Sequence, residues 1–202
     1  GAPPLEVICT PAALPAINNK LEEGNVSFDM TIEVAGQKIP MQMTRTITKD
    51  GDLWMVKDES KSPMGDMVDV MKYKSDFTPV SRTINQMGQE IPMIFGDKKA
   101  TIIMGGQNME MEFDGAYMAD GPGTDQLIGG FDLKPGFSLT YSIPDMMTMK
   151  AKKVVLTVKD SEKMGYSAEL MRAVDEVNER IRYEQGTDRK STRLNSSHRM
   201  PS

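Results

Sequence analysis

The side chain with the most chemical potential in this chain is methionine, because of how often it occurs and how it is spaced. The sequence holds 19 methionines, and six of them fall in alternating pairs, Met41/Met43, Met109/Met111 and Met147/Met149. On a strand, residues two apart share a face, so each pair would set two thioethers side by side. Three uses fit such a pattern. Met can fill a core in place of Leu, or line an adaptable apolar groove for a lipid or peptide. Thioethers can also hold Cu(I), although no cysteine or histidine joins them here. The first two uses differ only in whether the dry face is filled. Met30, Met41, Met43, Trp54, Met109 and Met111 are the expected lining of a groove, and an unfilled pocket above about 300 Å³ would support that reading.

Other chemistry is scarce. The single histidine is His198. It lies in Asp188 to Ser202, DRKSTRLNSSHRMPS, a run whose back-translation resembles a synthetic sequencing adapter. Setting that run aside leaves no histidine for a Ser-His-Asp or Cys-His nucleophile or for a His-ligated metal. Cys9 is alone and reads as a small apolar residue. GGFDLKPG lacks the glycine pattern and Lys-Ser/Thr of a phosphate loop. Asp114, Asp120 and Asp125 could pair for acid-base work or hold a hard cation. They read more simply as solvated turn residues, since no nucleophile accompanies them. No catalytic residue, metal or cofactor is expected.

Charge and length bound the partners. Without Arg189, Lys190, Arg193, Arg199 and Asp188, the 24 basic and 29 acidic residues become 20 and 28, a net charge of −8 rather than −5. Such a chain repels phosphate backbones, so nucleic acid is not an expected partner. No apolar run is long enough for a transmembrane helix. Three parts are expected. Residues 1–24 carry Pro3, Pro4, Pro11 and Pro15 and read as a linker or the end of a preceding element. Residues 25–187 read as a single β-rich domain, truncated in this fragment, and residues 188–202 as a non-native, disordered tail.

The elements that would position the methionines are strands. Val26, Phe28, Met30, Ile32 and Val34 alternate with polar residues, the mark of one dry and one wet face. Ile39 to Met43, Asp52 to Lys57, Met67 to Tyr73, Val80 to Gln86, Glu90 to Phe95, Ala100 to Met104 and Met109 to Phe113 continue the rhythm. Turn signals recur about every 8 to 12 residues, which predicts an antiparallel meander. Pro40 and Pro92 mark edges or bulges. Gly36-Gln37-Lys38-Ile39-Pro40-Met41 is echoed by Gly88-Gln89-Glu90-Ile91-Pro92-Met93, as a duplicated hairpin or a coincidence would give. Ala119 to Gly136 is a long loop with room for one helical turn over Thr124 to Ile128. Strands return at Phe137 to Ile143 and Ala151 to Lys159. Tyr166 to Glu184 suits a helix or a hairpin, with the hairpin, Tyr166 to Ala173 and Arg180 to Glu184, preferred. The fold class is all-β, a curved antiparallel meander forming a half-barrel or open barrel with one short helix.

The Met-Val-Asp-Val strand, Asp76-Phe77-Thr78-Pro79-Val80-Ser81-Arg82, the strand carrying Glu110 and Glu112, and Leu133-Lys134-Pro135-Gly136 carry a resemblance. In this order they resemble the uncharacterised β-rich domains of bacterial exported proteins. Those are similar in layout to periplasmic lipoprotein carriers, in which a curved sheet wraps a helix or an apolar ligand. The resemblance covers residues 25–158. It implies a periplasmic or outer-membrane-associated location and a non-catalytic role, binding a lipid, a lipoprotein acyl chain or a peptide. An accessory domain of a larger exported enzyme, such as a peptidase, and a Cu(I)-binding protein are the alternatives.

Overall fold

The computed structural model describes residues 5–8, 14, 17, 19–131, 136–161, 167–174 and 177–184. The tail from Asp188, Cys9 and most of the proline-rich start lie outside them.

The described strands form two sheets. The larger is an eight-stranded meander in which each strand pairs antiparallel with its sequence neighbour. Its strands are β2 (Gly24–Val34), β3 (Gln37–Asp50), β4 (Leu53–Lys61), β5 (Met67–Tyr73), β6 (Pro79–Gln86), β7 (Gln89–Phe95), β8 (Lys99–Met104) and β9 (Gln107–Glu112). It is open: β2 and β9 are its two edges. The smaller sheet runs β1 (Leu5–Ile8), β10 (Phe137–Asp145), β11 (Lys150–Ser161), β12 (Ser167–Val174) and β13 (Val177–Glu184), with β1 parallel to β10 and the other pairs antiparallel. One short helix, α1 (Thr124–Gly129), lies in the connection between the sheets. No helix among the described residues is long and apolar enough to cross a membrane.

Alternation builds the core. Met43, Arg45 and Ile47 of β3 share a parity and are buried, as are Val56, Asp58 and Ser60 of β4 and Asp69, Met71 and Tyr73 of β5. Register stacks them across strands: Ile47 faces Val56, which faces Met71. Met71 faces Arg82, Arg82 faces Met93, and Met93 faces Ile102. Each fully buried Met or Ile contributes about 1.5–3 kcal/mol relative to exposure.

The prolines sit where the ladder tolerates them. Pro40 pairs with Thr31 of β2, but β3 meets β4 only from Gln42 onward. Pro92 pairs with Thr83 of β6, while β7 meets β8 only from Met93. A residue without N–H fits a stretch with a neighbour on one side only. The two echoed hexapeptides occupy equivalent places, each running from the second turn residue of a two-residue hairpin into the returning strand.

The 167–184 region pairs as a hairpin, Val174 opposite Val177. Its second strand begins at Val177 rather than Arg180, because the pairing runs on as far as Val174 opposite Val177. Tyr166 lies outside the described residues.

Candidate functional site

The inner face of the large sheet carries charge as well as methionine. Arg45 donates from Nε to Asp58 Oδ1 at 2.7 Å and from Nη2 to Asp58 Oδ2 at 2.8 Å. Its Nη1 donates to both oxygens of Asp125 in α1, at 2.8 Å each. Arg82 makes a second fork, Nε to Asp69 Oδ1 at 2.9 Å and Nη2 to Asp69 Oδ2 at 2.7 Å. Asp58 and Asp69 stand opposite each other on adjacent strands, so a guanidinium flanks each end of a buried carboxylate pair. Two-pronged guanidinium–carboxylate contacts of this kind suit burial because they satisfy both partners.

The surroundings set the ionisation. Burial works against the Arg45 charge, but the carboxylates of Asp125 and Asp58 outweigh it and raise its pKa. Burial raises the Asp125 pKa, and the nearby Asp58 charge adds to this against the pull of Arg45. Tyr73, raised by burial, donates its hydroxyl to the Pro122 carbonyl at 2.6 Å. These contacts pin the segment before α1 onto the sheet. Glycine is needed there: a Cβ on Gly123, at φ +93°, would meet the Tyr73 ring at 2.8 Å.

Beside this network lies a cavity of about 730 Å³. Phe77, Phe95, Tyr117 and Leu127 give it apolar walls, with Leu14 and Ile17 from the preceding segment. Exposed Lys20, Lys74, Asp76 and Asp97 stand at its margin. Tyr117 stacks on Phe113 at 4.2 Å between ring centroids and donates to the Gly96 carbonyl at 2.5 Å. Its hydroxyl is pushed up to about 12 by burial and by the Asp97 charge. The cavity is concave, largely apolar and polar at the margin, the usual form of a small-ligand site.

The residues expected to line a groove are placed differently. Met43 and Met111 are buried in the core, and Met41 and Trp54 pack half-buried against it. Lys49 lies over the Trp54 ring, 4.6 Å from its centroid. Met109, on edge strand β9, is 38% exposed. Met30 is placed by register, opposite Met41. Met41, Met43, Trp54, Met109 and Met111 do not border the cavity. The M-x-M spacing marks a dry face only in part: Met43 and Met111 are buried, Met109 is exposed, and Met147 and Met149 lie in the turn between β10 and β11, with Met147 92% exposed. Where the face is dry, the opposing strands, Phe113 and the 118–131 segment fill it.

The carboxylates divide. Asp114 is exposed and pairs with Lys153 at 2.9 Å. Asp120 takes a left-handed backbone, φ +61°. Asp125 is buried, so the solvated-turn reading fails for it, because Arg45 draws it inward. A signal for this was present in the sequence: Arg45 falls on the dry parity between Met43 and Ile47. Among the described residues, no three His, Cys, Asp or Glu side chains gather as a metal site.

Compared with known protein families, curated proteins and solved structures, the chain matches none.

Proposed function

We propose that this chain is a non-catalytic binding protein of the cell envelope that takes an apolar or amphipathic ligand, such as a lipid acyl chain. The observation that carries this reading is the cavity of about 730 Å³ walled by Phe77, Phe95, Tyr117 and Leu127. The site moves from the methionine face, where packing leaves the side chains in the core, to the end of the sheet. Burying an acyl chain there gains about 25 cal/mol per Å² of apolar surface. An open antiparallel sheet laid over one short helix supports the likeness to lipoprotein carriers, and with it the envelope location.

The test is titration of the full chain with a fluorescent fatty acid. Saturable binding is expected. Val80→Arg, which puts a charge on the cavity wall, should weaken it about tenfold while leaving thermal melting in place. Met43→Leu should leave binding unchanged. Absence of saturable binding by the folded protein would remove the proposal.

A further inference from the structure

The margin of the cavity is charged, and its charges come from three separate pieces of chain. Lys74 and Asp76 belong to the β5–β6 turn, Asp97 to the β7–β8 turn, and Lys20 to the segment that leads into β2. All four are exposed. The two turns are separated by two strand spacings. Strands lie about 4.8 Å apart, so the turns stand about 10 Å apart across the end of the sheet. Lys20 enters from the β2 edge, on the far side of Lys74 from Asp97 in strand order.

Each piece is held in place. Lys74 donates its backbone N–H to the Thr78 carbonyl at 2.9 Å, and its own carbonyl accepts from the Phe77 N–H at 3.0 Å. Asp76 Oδ1 closes the same turn by accepting from the Thr78 N–H at 3.0 Å. Phe77 takes a left-handed backbone, φ +66°, which a bulky side chain rarely adopts. Its buried ring walls the cavity and meets Tyr73 edge-on, 5.9 Å between centroids. Asn19 Nδ2 donates to the Gln126 carbonyl of α1 at 2.7 Å, which fixes the backbone beside Lys20. In the other turn, the Gly96 carbonyl takes the Tyr117 hydroxyl, so the next residue, Asp97, stands beside that ring.

The margin therefore has two poles. The side chains of Lys20, Lys74 and Asp97 make no ion pair or hydrogen bond with the described residues. Asp76 is committed to its turn: hydrogen bonds from Thr78 hold its carboxyl low, and Lys74 adds to this without ion-pair contact. Lys98 follows Asp97 but does not border the cavity. A ligand with a single charge suits only one pole. A carboxylate would meet Asp97 and a chain of net charge −5, and an ammonium would meet Lys20 and Lys74. A dipolar head suits both, with its phosphate at the lysines and its ammonium at Asp97 and the Tyr117 ring, which both attract a cation. The volume of about 730 Å³ falls within the range of about 300–1,000 Å³ for one small ligand, which favours one chain over two.

We propose, given that the cavity is the binding site, that Lys74 and Asp97 select a zwitterionic phosphate–ammonium head, so that the ligand is a single-chain zwitterionic lipid. The chain enters between Phe77, Phe95 and Leu127, and the head lies across the margin from one turn to the other.

Calorimetric titration of the full chain tests this with three amphiphiles of equal chain length, each below its micelle concentration: dodecylphosphocholine, dodecanoate and dodecyltrimethylammonium. Dodecylphosphocholine should bind about three- to fivefold more tightly than either of the others, the scale of one exposed ion pair or cation–aromatic contact. Asp97→Asn should bring dodecanoate level with it. Lys20→Gln/Lys74→Gln should do the same for dodecyltrimethylammonium. Lys98→Gln, in the same turn as Asp97 but off the cavity, should keep the wild-type order. Equal affinity for all three would overturn the head-group selection and leave the cavity as an apolar site. Binding of none would remove both. A wild-type order that survives in Asp97→Asn and in the double lysine variant would also overturn the selection. So would phosphocholine without a chain competing as well as the lipid, since a soluble zwitterion would then be the ligand.

Discussion

Arg45 of β3 and Asp125 of α1 are 80 positions apart in sequence and meet through two 2.8 Å hydrogen bonds from one guanidinium nitrogen. The same guanidinium grips Asp58 with its other two nitrogens. One side chain therefore ties a helix to two strands inside the protein. Removing it would leave Asp58 and Asp125 buried without their cation. Arg45→Met should cost about 3–5 kcal/mol, the range for breaking a buried ion pair from one side. Removing the charges on all three sides, with Asp58→Leu and Asp125→Leu added, should cost less than Arg45→Met alone. Urea denaturation checks both, and a loss below about 1 kcal/mol for Arg45→Met would refute the clamp.

Asp125 and Asp145 should give opposite pH signatures. Burial lifts the Asp125 pKa above its ordinary 3.8, so the folded state holds that proton more tightly than the unfolded chain does. Its stabilising effect is present at low pH and is lost as pH rises through the folded value. Asp145 is also penalised by burial, but hydrogen bonds from Thr148 and Lys152 outweigh this and lower its pKa. Its contribution is present above the ordinary value and is lost as pH falls through the folded one. Compared with wild type, Asp125→Asn should gain ground as pH rises from 3 to 7, and Asp145→Asn should lose it. Denaturation curves across that range decide the matter, and equal slopes for the two variants would contradict the assignment.

Two glycines separate crowding from backbone strain. Both Gly88 (φ +76°) and Gly123 (φ +93°) take left-handed conformations. A Cβ at Gly88 meets nothing within 4 Å, whereas at Gly123 it meets Tyr73 at 2.8 Å. Gly88→Ala should cost about 1–2 kcal/mol, from conformation alone. Gly123→Ala should add about 1–3 kcal/mol of overpacking and disturb the Tyr73 bond to Pro122. Equal melting temperatures for the two variants would argue against the crowding.

The methionines should sort by burial rather than by their pairing in sequence. Met43→Ala, in the core, should cost about 2–5 kcal/mol. Met109→Ala, on the half-open edge strand, should cost under about 1 kcal/mol. Similar losses at both sites would mean that β9 is more enclosed than its exposure indicates.

The strands were legible because alternation records which face is dry, as it does along Met43, Arg45 and Ile47 of β3 and Asp69, Met71 and Tyr73 of β5. Turn residues showed where strands end, and Pro40 and Pro92 showed where a ladder has one side. The cavity was not legible. Its walls come from Phe77 in a turn, Phe95 at a strand end, Tyr117 in a loop and Leu127 in a helix, and no periodicity links such positions. The Arg45–Asp125 contact was half legible. A charge on a dry parity calls for a partner, but the sequence does not say that the partner lies 80 positions away.

The meander has a kinetic consequence. Because each strand of the large sheet pairs with the one beside it in sequence, these pairings form between residues close along the chain. Contacts of that sort close small loops and assemble quickly. The clasp between Arg45 and Asp125 must instead wait until a long stretch has collapsed. Stopped-flow refolding should therefore show strand signal before the burial of α1, with Arg45→Met slowing only the later event. The sheet would pass through a stage in which its charged inner face is wet, and the arrival of one short helix would seal it.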